Sequence, residues 1–148
     1  MGFTEAVRTV FKEKYATFSG RASRSEYWWS YLFYFLAMIA FVVVVSGVLA
    51  ASVAGSGSSS LMIAVTVIGG LVVLGTFLPA VGVQVRRFHD RNISGWWYLA
   101  LFIVSMIPYI GIIAGITILV ISMLPGTEGP NKFGPDPLRP EARAEVFA

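Results

Sequence analysis

The sequence predicts an all-α, polytopic membrane protein, and two observations carry that prediction. Every charged side chain lies in one of three islands, 1–26, 86–91 and 128–148, while 27–85 and 92–127 hold no Asp, Glu, Lys, Arg or His. A soluble domain scatters charge over its surface turns. A chain that withholds it over such lengths has lipid as its main solvent. Composition agrees: 56% of residues are hydrophobic and 13% charged, against roughly 25% charged in an average soluble protein.

The 148 residues fit one membrane domain, 1–148, and leave no room for a second soluble one. With no cysteine, disulfides, thiolate metal sites and cysteine nucleophiles are excluded. No metal and no cofactor are expected. The net charge of +3 reads as topogenic, because Lys and Arg collect in short cytoplasmic segments; a nucleic-acid partner is not expected. Nor is a cleaved secretory signal. The leader is long and polar, and the apolar run after it far exceeds a signal core of roughly 7–15 residues.

Within the leader, 1–26, Phe3, Val7, Val10, Phe11, Tyr15 and Phe18 share one helical face, with Glu5, Arg8, Lys12 and Glu13 elsewhere. That pattern predicts an amphipathic helix lying in the cytoplasmic interface. The alternative is a short soluble helix packed on the loops. Residues 27–51 are long and apolar enough to cross a bilayer once. Residues 52–60 (SVAGSGSSS) form a polar, uncharged loop. Residues 61–85 cross a second time, with a kink expected at Pro79.

Residues 96–124 would make a helix roughly 43 Å long, beyond the roughly 30 Å of hydrocarbon. Pro108 and Gly111 interrupt the segment. It is either one tilted, kinked helix or two short arms meeting at that turn. Two arms would need the first two helices as cover, since broken backbone at membrane depth must pack against protein. Residues 125–148 are rich in turn chemistry and by composition alone read as a flexible tail.

Orientation follows from Lys and Arg. The leader carries Arg8, Lys12, Lys14, Arg21 and Arg24, the 52–60 loop carries none, and the second island carries Arg86, Arg87 and Arg91. The N-terminus and the second island are therefore expected in the cytoplasm and the loop outside. In the tail, Lys132, Arg139 and Arg143 face four acids, which decides little. A single third helix would put the tail outside, whereas two arms would return it to the cytoplasm.

The motif-bearing segments each admit a structural and a functional explanation. In 18–29, Ser23 and Glu26 form a capping box, and Tyr27, Trp28 and Trp29 sit where an aromatic belt belongs. Arg21 and Arg24 are placed to meet lipid phosphates. In 86–92, Arg86 and Arg87 are spaced four and three residues from Asp90, suiting local ion pairs. Three adjacent arginines equally suit an anion. His89, the only histidine, stands beside Asp90 as a general base would, yet no nucleophile or metal partner accompanies it. Ser94 with Trp96, Trp97 and Tyr98 repeats the cap-and-belt logic. Gly111 and Gly115 form a GxxxG, a weak signal for helix contact in so glycine-rich a chain.

Four elements occur in order: Phe18-Ser19-Gly20-Arg21 through Trp28-Trp29, Arg86-Arg87-Phe88-His89-Asp90, Ser94-Gly95-Trp96-Trp97, and Asn131-Lys132-Phe133-Gly134-Pro135-Asp136-Pro137. The set resembles the bacterial inner-membrane family called domain of unknown function 805. The resemblance spans nearly the whole chain. It implies a small multi-pass protein of the bacterial inner membrane without an established activity. It also implies that 131–137 folds against the cytoplasmic face bearing Arg21, Arg24, Arg86, Arg87 and Asp90. The C-terminus would then be cytoplasmic, with Asp136 or Glu128 available to pair with an arginine.

The functional expectation is a non-enzymatic module that interacts with partners or lipids in the cytoplasmic membrane. The alternative is an anion or head-group site, or a transport accessory, built on the arginines. The candidate residues for that site, or for a structural ion-pair network, are Arg21, Arg24, Arg86, Arg87, His89, Asp90, Arg91, Asn131 and Asp136. Expected partners are membrane lipids, anionic head groups included, a membrane-protein partner or a second copy of the chain. No catalytic residue is expected; an enzyme built on His89 and Asp90 has no indicated reaction.

Overall fold

The computed structural model describes residues 1–139. Among them the chain is helical, with no β-strand; Asn131 and Gly134 form a lone antiparallel bridge. The end of the expected tail, 140–148, with Arg143, lies outside the described residues.

The leader begins with α1, Phe3–Arg8, which widens into a π-helical turn, Thr9–Glu13. Helix therefore stops short of Tyr15 and Phe18, and the remaining leader is irregular. Its apolar residues lie against the bundle. Val10 is wholly buried with Ala22, Tyr27 and Val83. Phe11 meets Phe33 and Tyr34 at ring separations of 5.1 and 5.5 Å, and Phe3 meets Trp29 edge-on at 5.9 Å.

Two long helices follow: α2, Arg24–Val53, and α3, Ser59–Asp90. Each is long and apolar enough to cross a bilayer. Each also runs past its uncharged stretch into a charged island, so the spans end in ionic turns. Apolar side chains such as Phe35, Val43, Ile63, Leu71 and Leu74 are exposed along them. Helices apolar on all sides are the form that lipid, not water, surrounds.

The second helix runs on through Pro79. A proline inside a helix cannot donate to the carbonyl four residues back, here that of Gly75. The Tyr15 hydroxyl donates to that carbonyl instead, so the leader satisfies an acceptor that the proline leaves open. One residue further on, the Tyr34 hydroxyl donates to Thr76 O at 3.2 Å.

The third hydrophobic segment takes the two-armed form. It divides into α4, Gly95–Ser105, and α5, Ile110–Met123. At about 1.5 Å per residue neither arm reaches the roughly 30 Å of a crossing. The first arm starts beside His89, against Val85. The second ends with the carbonyls of Ser122 and Leu124 hydrogen-bonded to Arg87. Both open ends thus lie at the C-terminal end of α3, and the segment is a hairpin. At its tip Tyr109 has φ 66°, a left-handed conformation that a tyrosine rarely adopts. The Gly111 amide donates to Ile107 O at 2.7 Å, and a side chain at Gly111 would collide with Ser105 O. Gly115, the other half of the GxxxG, faces open space. Of the two, only Gly111 is required by the packing of the described residues.

This geometry separates the two glycines experimentally. Gly111→Val should lower stability by about 1–3 kcal/mol, the usual cost of forcing atoms into a packed site. Gly115→Val should change it by less than about 0.5 kcal/mol. Thermal denaturation of the two variants in one detergent checks the contrast.

Candidate functional site

The last turn of α3 carries Arg86, Arg87, His89 and Asp90, and all four are buried. A guanidinium stays charged at any accessible pH, so burying one demands hydrogen-bonding partners around it. Together with Asp90, two stretches distant from it in sequence, 22–26 and 122–129, supply the acceptors.

Asp90 is the hub. One carboxylate oxygen accepts from Arg21 Nε at 2.9 Å, and the other accepts from Arg87 Nη1. Arg87 also donates from Nε to Ser122 O at 3.0 Å and from Nη2 to Leu124 O, and so holds the end of α5. Its Nη1 lies 3.3 Å from Ala22 O. Arg21 donates from Nη1 to Gly129 O at 2.6 Å and from Nη2 to Thr127 O at 2.5 Å, and so holds the tail. The Thr127 amide and hydroxyl donate to Asp90 O at 2.8 and 3.1 Å. Gly126 must be glycine in this packing, since a side chain there would overlap the Asp90 carboxylate.

Arg86 makes a separate pair with Glu26 on α2. Both side chains are at most 3% exposed. Arg86 Nε and Nη2 have no hydrogen-bond partner among the described residues, so Glu26 is the one counter-charge this guanidinium has. Beside the pair, the Ala22 amide donates to Arg86 O at 3.0 Å.

His89 points the other way. Its Nδ1 lies 3.1 Å from Gly20 O. A carbonyl only accepts, so Nδ1 carries the proton and Nε2 presents a lone pair. Phe133 from the tail stacks on the ring at 3.9 Å, within 3° of parallel. Asn131 donates to His89 O at 2.9 Å and to Thr127 Oγ1 at 2.9 Å, which fixes the tail turn against α3. Burial pushes the His89 pKa below its ordinary value; the Gly20 hydrogen bond opposes this and the nearby Lys132 adds to it.

The residues singled out in the sequence thus divide. Arg21, Arg87, His89, Asp90 and Asn131 meet in one network, with Arg86 beside it. Arg24 is exposed and makes no ion pair among the described residues. Arg91 donates to Pro125 O at 2.5 Å. Asp136 makes no ion pair among the described residues; it accepts from the Gly129 and Leu138 amides at 3.2 and 2.9 Å and shapes the tail itself. The expected Arg86–Asp90 pair is replaced by Arg86–Glu26, while the Arg87–Asp90 pair forms. Arg21, expected to reach lipid phosphates, is buried instead. Ser23 caps the Glu26 amide at 3.2 Å as expected, but the Glu26 carboxylate turns to Arg86. A capping box explained Glu26 so completely that its second use was hidden. Ser122 and Thr127 carried no signal in the sequence.

No group of three metal-ligating side chains occurs among the described residues. A cavity of about 380 Å³ next to the network is lined by Arg21 and Arg24 but also by Asp90, Glu128 and Asp136. Three carboxylates against two guanidiniums do not make an anion site.

Removing one member of a buried pair costs about 3–5 kcal/mol, because the other charge stays buried. Glu26→Ala should therefore destabilise strongly, and Glu26→Leu combined with Arg86→Met should recover most of that loss. Denaturation midpoints of the single and double variants test the coupling. For His89 the folded state resists a proton that the unfolded chain takes up as pH falls through about 6.5. Its contribution is thus present above that pH and lost below it. Between pH 7.5 and 5.5 the Tm should fall, and His89→Gln should flatten the fall.

Known proteins with this pattern can now be placed beside it. The model of the family described as protein of unknown function (DUF805) matches residues 15–135, which begin in the leader just after the π-helical turn and reach the tail turn. Inner membrane protein YhaH of Escherichia coli K12 is 40% identical over 125 residues, covering 84% of this chain and 90% of that protein. Inner membrane protein YhaI of the same organism is 34% identical over 125 residues, covering 84% and 89%. No solved structure matches the chain. With the ordered motifs, the family match and these two relatives in agreement, the chain belongs to the DUF805 family.

Proposed function

We propose that the chain is a multi-pass protein of the bacterial cytoplasmic membrane that acts as a non-enzymatic interaction module, its apolar helix faces receiving lipids or a membrane partner. In this reading α2 and α3 cross the bilayer, the leader lies in the cytoplasmic interface, and α4 and α5 enter and return from that same side. Leader and tail are then both cytoplasmic. The relatives' names as inner membrane proteins support the location.

The observation that carries the reading is the saturation of Arg21 and Arg87 by Asp90 and backbone carbonyls, with Glu26 opposing Arg86. These charges fasten leader, tail and hairpin to α3. The surface left for recognition is the apolar one. The head-group alternative loses its main residues to this network and keeps Arg24, which shares its cavity with carboxylates.

Paired reporter fusions after Ala148 test the topology, one active only in the cytoplasm and one only outside. The cytoplasmic reporter should be active. An active external reporter would overturn the re-entrant hairpin. The module itself is tested by native mass spectrometry of protein extracted in mild detergent. Retained lipid or a stable complex is expected, and a lipid-free monomer would overturn the reading.

A further inference from the structure

The network at the end of α3 leaves one ring nitrogen unused. His89 is 8% exposed. The Gly20 carbonyl holds its Nδ1 and Phe133 covers one ring face, so the imidazole cannot turn freely. Its Nε2 makes no hydrogen bond among the described residues, yet it is not shut in as Arg86 Nε and Nη2 are. It opens on a cavity of about 570 Å³ between α3 and α4, which His89 and Gly95 both line. Gly95 keeps the nitrogen uncovered: a Cβ there would lie 3.4 Å from Nε2 and 2.6 Å from Val85.

The cavity is apolar over most of its length. Phe77, Val81 and Val85 from α3 face Leu99 and Phe102 from α4. Its volume falls in the range of small-molecule sites. From Phe77 to His89 is twelve residues of helix, roughly 18 Å, so the space runs from the ionic end toward the middle of a roughly 30 Å hydrocarbon core. No Asp, Glu, Lys or Arg lines it. A charged ligand would therefore enter without a counter-charge, which is costly in an apolar site. The His89 end is aromatic as well. Phe133 lies on the imidazole, Phe18 is two residues from Gly20, and Trp96 follows Gly95; all three line the cavity.

We propose that this cavity binds a lipid-borne phenol, a neutral molecule whose ring hydroxyl donates to His89 Nε2 and whose apolar tail lies between α3 and α4. A donor is required because the Gly20 carbonyl keeps the proton on Nδ1. Nε2 is then a lone pair, which a carbonyl or phosphate oxygen cannot satisfy. The body is uncharged and apolar because the walls are. The head is an aromatic ring because rings line the His89 end, and aromatic pairs gain beyond their buried area. A glycerol ester suits this end poorly, since its carbonyls would be buried among rings that offer them no donor. The ligand comes from the bilayer because exposed Phe77, Trp96 and Leu99 stand on the cavity walls, where lipid would cover them. The proposal rests on the membrane reading above and adds to it a place and a ligand class.

The test uses full-length protein in mild detergent with its histidine labelled by nitrogen-15. His89 is the only histidine, so both ring nitrogens are read by NMR without ambiguity. The probes are 4-octylphenol and its methyl ether 4-octylanisole, which has the same ring and tail but no proton to donate. Octylphenol should saturate one site and shift the Nε2 resonance, and octylanisole should leave that resonance in place. Affinities are read by tryptophan fluorescence. The two probes partition differently into detergent, so the ratio of their affinities is compared between proteins. His89→Phe keeps a ring on Phe133 but removes the acceptor, and the ratio should fall about 5-fold or more, as the loss of one buried hydrogen bond implies. An Nε2 resonance that octylphenol does not move, or a ratio unchanged in His89→Phe, would overturn the proposal. Dodecanol binding more tightly than octylphenol would also overturn it, in favour of an aliphatic alcohol. Should His89→Phe fail to fold, Leu99→Trp, which fills the cavity from α4, replaces it. The octylphenol-induced shift should then vanish, and a shift that persists would overturn the site. The reporter fusions and the retained lipid are read independently. A protein with a cytoplasmic C-terminus and bound lipid whose Nε2 stays unmoved would lose this site and keep the membrane reading.

Discussion

The structure depends on a simple constraint: arginine cannot shed its charge when it is buried. Histidine, aspartate or lysine in such a place can change protonation state; a guanidinium can only collect acceptors. Three of them lie at one end of α3 and α2, and about half of the long-range hydrogen bonds of the described chain answer to them. Asp90 serves two, Glu26 serves one, and backbone carbonyls of Ala22, Thr127, Gly129, Ser122 and Leu124 complete the shells of Arg21 and Arg87. Carbonyls at a helix end lack intrahelical partners in any case, so the end of α5 is a natural place for Arg87 to find them.

Such a network is weak grounds for high stability, since desolvation offsets much of the attraction. What it supplies is geometry. Apolar contact between α4, α5 and the long helices has little direction, because lipid is as apolar as the side chains it would replace. The guanidinium bonds have direction. They fix where the hairpin ends and where the tail crosses. The position of the end of α5 against α3 follows from that placement.

Much of this was legible in the sequence. Charge islands gave the two long helices, because withheld charge is a property of composition that packing does not alter. The break at 108–111 was visible because Pro108 and Gly111 carry local backbone information. Whether the break closed into a hairpin was not visible, since a kinked helix satisfies the same local rules. The network was half legible. Arg87 and Asp90 are three residues apart, and helical spacing alone predicts their pair. Arg86 and Glu26 are sixty residues apart, and no periodicity connects them. Ser122 and Leu124 contribute backbone carbonyls, which no sequence pattern marks. The folding of 131–137 onto the arginines came from the ordered motifs and not from its composition, which reads as loose turn.

The separation of the network's members has a consequence for how the protein is made. Arg21 and its acceptors at Thr127 and Gly129 are 106 and 108 residues apart. At roughly 5–20 residues per second, a ribosome takes about 5–20 s to travel between them. Asp90 emerges about two-thirds of the way along that interval. In its last third the long helices already exist while the carbonyl partners of Arg21 do not. The nascent chain therefore passes through a stage in which this end must stay hydrated, and it can become dry only when the last turn of the tail arrives. Closure of the network therefore waits for 127–129, which are made after both long helices and the hairpin.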